Sequence, residues 1–442
     1  MATPSYGFDR QVPPRERQVS FTHVSQIADV VSCVRSQPAG IARSAICRKL
    51  TLGRNAVEQR LRTAVDLNLI TVGGFGASTG GRAPKVWQFN PAAGTILVVA
   101  ISIRSTIVAL TDLGGKILHQ REIPVGILVP PAHATKQILQ ALSELRAAHS
   151  DLPDAWGCGL TVPLPVDVST GRLVNPVAQS TGAKDEWVEF PVKETFARTL
   201  GVPVWIEDEV DAMAHTAALR PGAPPDLLYV RLSLGLGLGI VSGGKVHRGS
   251  IGTSGELAHI QVDATGPYTC RCGRRGCLET YVSGGALEQA ASKSQVWWKS
   301  PYLRSVHDKR GQIRMEDVFS GVAKGDAVCT KLAADAGIRL AGVLAVLVTT
   351  YNPGEIVIGG AVTESGNLFA SVVDRAIRSR VLPASAERLS VRMGGKDRSD
   401  KLEGAAHLVV DWLLKPASMA LWLPSGSPAR AAHILEPHIA GD

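Results

Sequence analysis

The sequence predicts an α/β protein in two parts. An N-terminal winged helix-turn-helix comes first, followed by a larger domain of two α/β lobes facing each other across a cleft. Two observations carry this. Residues 23–90 read as helix, helix, turn, helix and β-hairpin. From residue 94 onward the strands first meander and then alternate with helices, and this happens twice. With 442 residues, 45% hydrophobic and 19% charged, the chain can bury more than one core and does not have a disordered composition. No run of eighteen uninterrupted apolar residues occurs, and MATPSYGFDRQVPPRERQ lacks the apolar core of a secretory leader. A soluble, cytoplasmic protein without a membrane partner is therefore expected. Seven cysteines, an odd number in a long chain, argue against a disulfide framework.

Residues 1–22, rich in proline and arginine, are expected to form a disordered basic arm. In VSQIADVVSCVRSQ, Ile27, Val30, Val31 and Val34 recur at helical spacing. The run ARSAICRKLTLGRNAVEQRLRTAVDLNLI reads as two helices broken at TLGR. Ala45, Ile46 and Leu50 would face inward on the first, and Val57, Leu61 and Val65 on the second. ITVGGFGASTGGRAPKVWQF then gives a strand, a glycine-rich turn and a second strand, completing the winged plan to residue 90.

Charge gives this region a partner. Residues 1–90 hold twelve Lys/Arg and five Asp/Glu, so they account for seven of the net +8 of the whole chain. Such asymmetry points to a polyanion, with a basic solubilising arm as the alternative. In a helix-turn-helix the second helix reads base edges in the major groove of double-stranded DNA. That places Arg54, Asn55, Glu58, Gln59 and Arg62 as candidate contacts, with Arg43 and Ser44 on the preceding helix. Arg82, at the tip of the hairpin, can lie along phosphates or enter the minor groove. A helical protein-interaction module is the other reading of this pattern.

After a hinge, NPAAG, residues 94–415 form the second domain. TILVVAISIRSTIVALTDLGGKILHQREIPV gives three β-runs with turns near Ser105 and Gly114–Gly115. Helix ATKQILQALSELRAAH, strand AWGCGLTVPLPVD, helix FPVKETFARTLG, strand PVWIEDEV and helix DAMAHTAAL follow. LLYVRLSLGLGLGIVSGGKVHRG reads as a strand opening the second lobe, and PGEIVIGGAV as a later one. Residues 416–442 are expected to be a C-terminal tail.

Three cysteines fall within HIQVDATGPYTCRCGRRGC. Cys270, Cys272 and Cys277 form C-x-C-x4-C, and His259 precedes them. Cys3His is a set that structural Zn2+ favours, and Gly273 and Gly276 would let the chain wrap an ion tightly. Arg271, Arg274 and Arg275 would favour thiolate over thiol. A redox pair or a set of buried structural cysteines are the alternatives. A redox pair would not need a third cysteine and a histidine.

The stretch GTSGELAHIQVDATGPYTCRCGRRGCLETYVSG closely resembles the signature of the ROK family (repressors, open reading frames, kinases). Gly255, Glu256, His259, Cys270, Cys272, Gly273, Gly276, Cys277, Leu278 and Glu279 fill its positions. The resemblance covers residues 24–415. A winged helix-turn-helix ahead of such a domain is the arrangement of the family's sugar-responsive repressors, such as those for N-acetylglucosamine or xylose. The resemblance implies an actin-like, hexokinase-type (ribonuclease H-like) fold, sugar and nucleotide sites in the cleft, and a homodimer or homotetramer.

Family kinases need an Asp-x-Gly-Gly-Thr turn near the ATP phosphates and a catalytic aspartate in Asn-Asp-x-Asn. Here Ser102 stands at the Asp of the first and Arg104 at one of its glycines. In the second, Asp208 replaces the first Asn, Glu209 the base and Asp211 the second Asn. The extra methylene of glutamate displaces a base by a distance that costs about 100-fold in rate. LSLGLGLGIV keeps Gly235, Gly237 and Gly239 of a second glycine turn, a pattern that close packing also produces. Kinase catalysis is therefore not expected. Glu256, His259 and Glu279 match sugar-binding positions of the family, with Asp208 and Glu209 opposite. His259 would serve both metal and ligand. The acidic run EDEVD could instead be a solvated helix start. AQSTGAKDE looks inserted before Trp187, which puts one sugar contact in doubt. The expected function is a DNA-binding transcriptional regulator, a repressor, whose operator binding responds to a small carbohydrate. A sugar kinase with an added DNA-binding domain, or a ligand-blind DNA-binding protein that uses the ROK domain to oligomerise, are the rivals.

Overall fold

The computed structural model describes residues 20–75, 85–167, 169–175, 183–395 and 397–435. The chain forms two compact units: Met1–Phe89 with Leu414–Pro424, and Asn90–Leu413 with Ser425–Asp442.

In the first unit, α1 (Phe21–Arg35), β1 (Ile41–Ala42), α2 (Arg43–Leu50), α3 (Arg54–Asp66), β2 (Ile70–Phe75) and β3 (Lys85–Phe89) follow the predicted order. The strands form one sheet in the order β1-β3-β2. Thr51 ends α2 in the left-handed region, and its amide N–H reaches Cys47 O, so the chain turns there. Ile27, Val30, Val31, Val34, Ile46, Val57 and Leu61 are buried, as the helical spacing requires. Val65 is not. It is exposed, and Ala64 and Leu69 take the inward positions instead. At 3.6 residues per turn, strict i, i+4 steps drift off the buried face, and Ala64 lies nearer it.

The 416–442 segment is not a tail in its described part. Pro416–Trp422 form a helix, which becomes α17 in chain order, packed on α1 within the first unit. Met419 and Trp422 are fully buried there. Residues 428–435 fold back as Pro428–Ala431 and α18 (Ala432–Leu435) in the second unit. The proline- and serine-rich composition hid three apolar anchors. Trp422→Ala is expected to destabilise the first unit by about 3–5 kcal/mol, the usual cost of deleting a buried large aromatic. Urea denaturation followed by a probe placed in that unit would check it.

The second unit has two lobes of matching topology. In the first, β4 (Thr95–Ile101), β5 (Thr106–Asp112) and β6 (Ile117–Ile123) form an antiparallel meander, followed by α4 (Pro131–Ala147). β7 (Ala155–Val162) joins β4 in parallel, and β8 (Val166–Asp167) and β9 (Arg172–Leu173) form a small separate ribbon. After α5 (Ala183–Glu189) and α6 (Val192–Leu200), β10 (Val204–Asp208) adds to β7 in parallel and leads into α7 (Glu209–Leu219). The sheet order is β10-β7-β4-β5-β6.

The second lobe repeats the plan. The stretch read as one strand from Leu227 is three: β11 (Leu227–Leu232), β12 (Leu236–Ser242) and β13 (Lys245–Val246). The chain reverses at Ser233–Gly235, where the Ser233 N–H donates to Gly235 O at 3.0 Å. Helices α8 (Glu279–Val282), α9 (Gly284–Ala291), α10 (Ser294–Trp297), α11 (Pro301–Arg310), α12 (Met315–Ala323) and α13 (Ala327–Tyr351) follow. Then come β14 (Glu355–Gly359), α14 (Leu368–Arg378), α15 (Pro383–Arg388), β15 (Ser390–Met393) and α16 (Asp397–Leu413). The order β13-β12-β11-β14-β15 mirrors that of the first sheet, with β14 and β15 parallel to β11. This duplication is the two-lobed plan the strand pattern predicted. By length and composition α13 is apolar enough to cross a membrane. Its Cys329, Ala333, Leu340, Leu344 and Val348, however, lie in the second-lobe core.

α16 packs on α7, β4 and β7. Glycines allow the approach: a Cβ on Gly159 would sit 2.5 Å from Ala405 O, and one on Gly404 2.1 Å from Ala212 O. Trp187 is buried in the first-lobe core and donates to Val129 O at 2.9 Å. Most of the proposed insertion before it lies outside the described residues.

Candidate ligand cleft, metal centre and nucleic-acid face

β10 ends and α7 begins inside the acidic run. Asp208 caps the helix, its Oδ1 accepting the Val210 N–H at 2.7 Å. A solvated helix start is not what forms. Glu207, Glu209 and Asp211 are 1%, 3% and 5% exposed. Carboxylates buried this deeply need cations or they protonate. Glu207 has one: Arg248 donates to its Oε2 from Nε at 2.8 Å and from Nη2 at 2.5 Å. Glu209 has two. Arg231 Nη1 lies 2.9 Å from its Oε1, and Lys401 Nζ lies 3.7 Å from its Oε2. Lys401 also donates to Ser102 Oγ at 2.7 Å.

The two positions that depart from the kinase pattern, Ser102 and Glu209, are thus joined by one lysine. Motif reading missed it, because Lys401 stands on α16, far along the chain, and nothing local marks it. Arg231 did leave a signal: it is a charge inside the otherwise apolar strand LLYVRL.

Asp211 is different. It forms no hydrogen bond or ion pair with any described residue, and the cation that influences it, Arg248, is engaged by Glu207. Burial first, and then the charge of Glu207, push the Asp211 carboxyl well above the usual range. Burial and neighbouring Glu209 do the same to Asp208.

Asp208, Glu209, Glu256 and Glu279 line one cavity of about 290 Å³, together with Asp211, Arg231, Arg271, Ile103 and the Gly235–Leu238 stretch. This is near the lower end of ligand pockets, roughly 300–1,000 Å³. His259 does not line it. It lines a neighbouring cavity that shares Glu256. The glycine pattern on β12 serves packing at two positions: a Cβ on Gly237 would meet Val210 Cγ2 at 2.7 Å, and one on Gly239 would meet Ala214 Cβ at 2.5 Å. Gly235 lies in the cavity wall, with only Glu279 Oε1 near such a Cβ.

The ligand atoms of His259, Cys270, Cys272 and Cys277 all lie within 4.8 Å of one another. Cys270 Sγ is 3.4 Å from His259 Nδ1, and Cys272 Sγ is 3.5 Å from Cys277 Sγ. Tetrahedral zinc with ordinary bond lengths sets its ligands about 3.3–3.8 Å apart, so the donor set fits the ion. His259 Nε2 points the other way, to Glu256 Oε2 at 3.9 Å. The loop depends on its glycines: Gly273 and Gly276 have φ of +81° and +64°. Burial pushes the Cys270 thiol up to about 12. At Cys272 burial also raises the thiol, but the backbone and side chain of Arg274 outweigh it and bring it to about 7. Arg271 is not a thiolate partner; it pairs with Glu279 at 3.1 Å.

On α2 and α3, Ser44, Arg54, Asn55, Gln59 and Arg62 are exposed. Arg43 bonds Glu58 at 2.6 Å, and Arg62 lies 3.5 Å from it. The hydrogen bond from Arg43 holds the Glu58 carboxyl below its usual range. Arg60, not predicted as a contact, ties α3 to Gln26 of α1 and to Gln59. Arg82 lies outside the described residues.

The ROK family model matches residues 98–411, more than half of the chain. The chain belongs to the ROK family. The xylose repressor of Bacillus spizizenii is 25% identical over 385 residues, covering 86% of this chain and 93% of the relative. The glucokinase of Halalkalibacterium halodurans is 28% identical over 317 residues, covering 70% of this chain and 94% of the relative. A solved ROK transcriptional regulator, described as a homolog of the Escherichia coli MLC protein, aligns with TM-score 0.73 at 21% identity. It covers 90% of this chain and 98% of its own. The ROK relatives thus include both repressors and a kinase, and the glucokinase match is shorter.

Proposed function

We propose that this ROK protein is a DNA-binding transcriptional regulator acting as a repressor, released from or held on its operator by a small carbohydrate in the cleft. The observation that carries this is the clamp on Glu209. The residue at the base position of the kinase pattern is engaged by Arg231 and Lys401, and Lys401 also engages Ser102. Two adjacent cations stabilise the carboxylate and weaken it as a proton acceptor. A repressor does not need that proton transfer. The helix-turn-helix unit supports the same reading, as does the repressor relative, which matches more of the chain than the glucokinase does.

In this reading Arg54, Asn55, Gln59 and Ser44 face DNA, with Arg43, Glu58 and Arg62 as a linked group beside them. Arg82 on the wing would reach the backbone. A palindromic operator calls for a homodimer or homotetramer. His259, Cys270, Cys272 and Cys277 would hold structural Zn2+, which would fix the loop carrying Glu256 and Glu279 and so the cavity wall. Glu256, Glu279, Asp208 and Glu209 would accept hydroxyl hydrogens of the ligand. The protein would work in the cytoplasm.

Mobility shift of DNA upstream of the protein's own gene, at stated salt, tests the reading. Specific binding relieved by one sugar is expected. Arg54→Ala should weaken specific binding by about 1–3 kcal/mol if it contacts a base. Absence of any specific site, with ATP consumed in the presence of a sugar, would instead favour a kinase, the reading that the glucokinase relative supports.

A further inference from the structure

We infer that the cleft selects a carbohydrate bearing a protonated amine over its neutral or anionic counterparts. This rests on reading the cavity as the effector site and names the chemistry of the effector.

Charge in the cavity wall carries the inference. Five carboxyl side chains line it, Asp208, Glu209, Asp211, Glu256 and Glu279, against two guanidiniums, Arg231 and Arg271. Both guanidiniums are committed, Arg231 to Glu209 at 2.9 Å and Arg271 to Glu279 at 3.1 Å. Lys401, behind the wall, serves Glu209 as well. The protein's cations are thus spent on two of the five acids. Asp211, 95% removed from solvent, meets no described hydrogen-bond or ion-pair partner, although it borders the cavity. A buried carboxyl without a partner costs free energy that a suitable ligand recovers.

A neutral sugar hydroxyl recovers only the hydrogen bond. A sugar phosphate adds negative charge to a negative site. An ammonium group on a sugar supplies both donors and charge, and charge-assisted hydrogen bonds are the stronger kind. The high protonation tendency of Asp208 and Asp211 reflects the same crowding of carboxyls, which a ligand cation would relieve.

A bare divalent ion is the competing occupant, and the geometry speaks against it. Among the described residues, the convergent set of metal-ligating side chains is the Cys/His one, and none of the cavity acids belongs to it. Carboxyls spread around a cavity of about 290 Å³ suit a monosaccharide with donors on several sides, not a single point charge.

The test is calorimetric titration of the full-length, zinc-loaded protein with three matched sets. These are glucosamine, N-acetylglucosamine and glucose, and the corresponding galactose and mannose series, with glucose 6-phosphate and MgCl2 as further probes. In at least one set the free amine should bind tenfold or more tightly than both its N-acetyl and its parent sugar. Asp211→Asn should cut that preference to less than threefold, and Asp208→Asn serves if the first variant does not fold. A parent or N-acetyl sugar that binds as tightly as the amine overturns the inference but leaves the cavity as an effector site. So does a preference that survives both substitutions. Tighter binding of MgCl2 or glucose 6-phosphate than of any amine also overturns it. If no sugar binds while operator DNA is bound, the effector reading falls, and this inference falls with it.

Discussion

Glu209→Ala should destabilise the ROK domain by about 3–5 kcal/mol, the usual cost of removing one partner from a buried ion pair. The magnitude follows from what stays behind. Arg231 and Lys401 would keep two positive charges in a region where Glu209 and Lys401 side chains are each 4% exposed and Arg231 is 11% exposed. Lys401 would retain Ser102, but a hydroxyl does not neutralise an ammonium. Lys401→Met should cost less, because Glu209 keeps Arg231. The Glu209→Gln, Lys401→Met double variant should lie closer to wild type than the sum of its single substitutions. Chemical denaturation of the four proteins gives the cycle. A Glu209→Ala cost below about 1 kcal/mol, the range of exposed pairs, would mean that the clamp is not buried as described.

Cys272→Ser should take the bound metal from about one ion per chain to near none, since structural zinc needs its full tetrahedral set. The loop running from His259 to Glu279 holds its shape partly through sparse contacts, the isolated bridges Gln261 to Cys277 and Thr269 to Arg275. Loss of the ion should therefore loosen Glu256 and Glu279 together. A cost of about 3 kcal/mol would lower the melting temperature by roughly 6–12 °C at 2–4 °C per kcal/mol. Elemental analysis and a thermal melt read both effects, and chelation of the wild-type protein should reproduce them. Retention of one zinc per chain by the variant would refute the assigned ligand set.

Much of this protein was legible before folding. The helix-turn-helix and its hairpin, the double αβ pattern and the Cys/His loop are local features. They depend on periodicity, turn glycines and ligand spacing, which a linear reading resolves. The errors have physical causes. Val65 was placed inward by counting fours along a 3.6-residue helix. The single strand from Leu227 hid a reversal at Ser233–Gly235, because glycine suits both strand packing and turns. The C-terminal segment passed for a tail because its anchors, Met419 and Trp422, find their cover on α1, at the opposite end of the sequence.

The sequence by itself determined the family, the metal-ligand set and the loss of the kinase pattern at Ser102 and Glu209. Only the tertiary structure decided what replaced that pattern. Lys401 reaches Ser102 and Glu209 because glycines at 159 and 404 let α16 lie against β7 and α7. Asp211 is left without a partner because Arg248 is drawn to Glu207. Which charges neutralise one another depends on distance and burial, and no linear pattern records either across two hundred to three hundred residues.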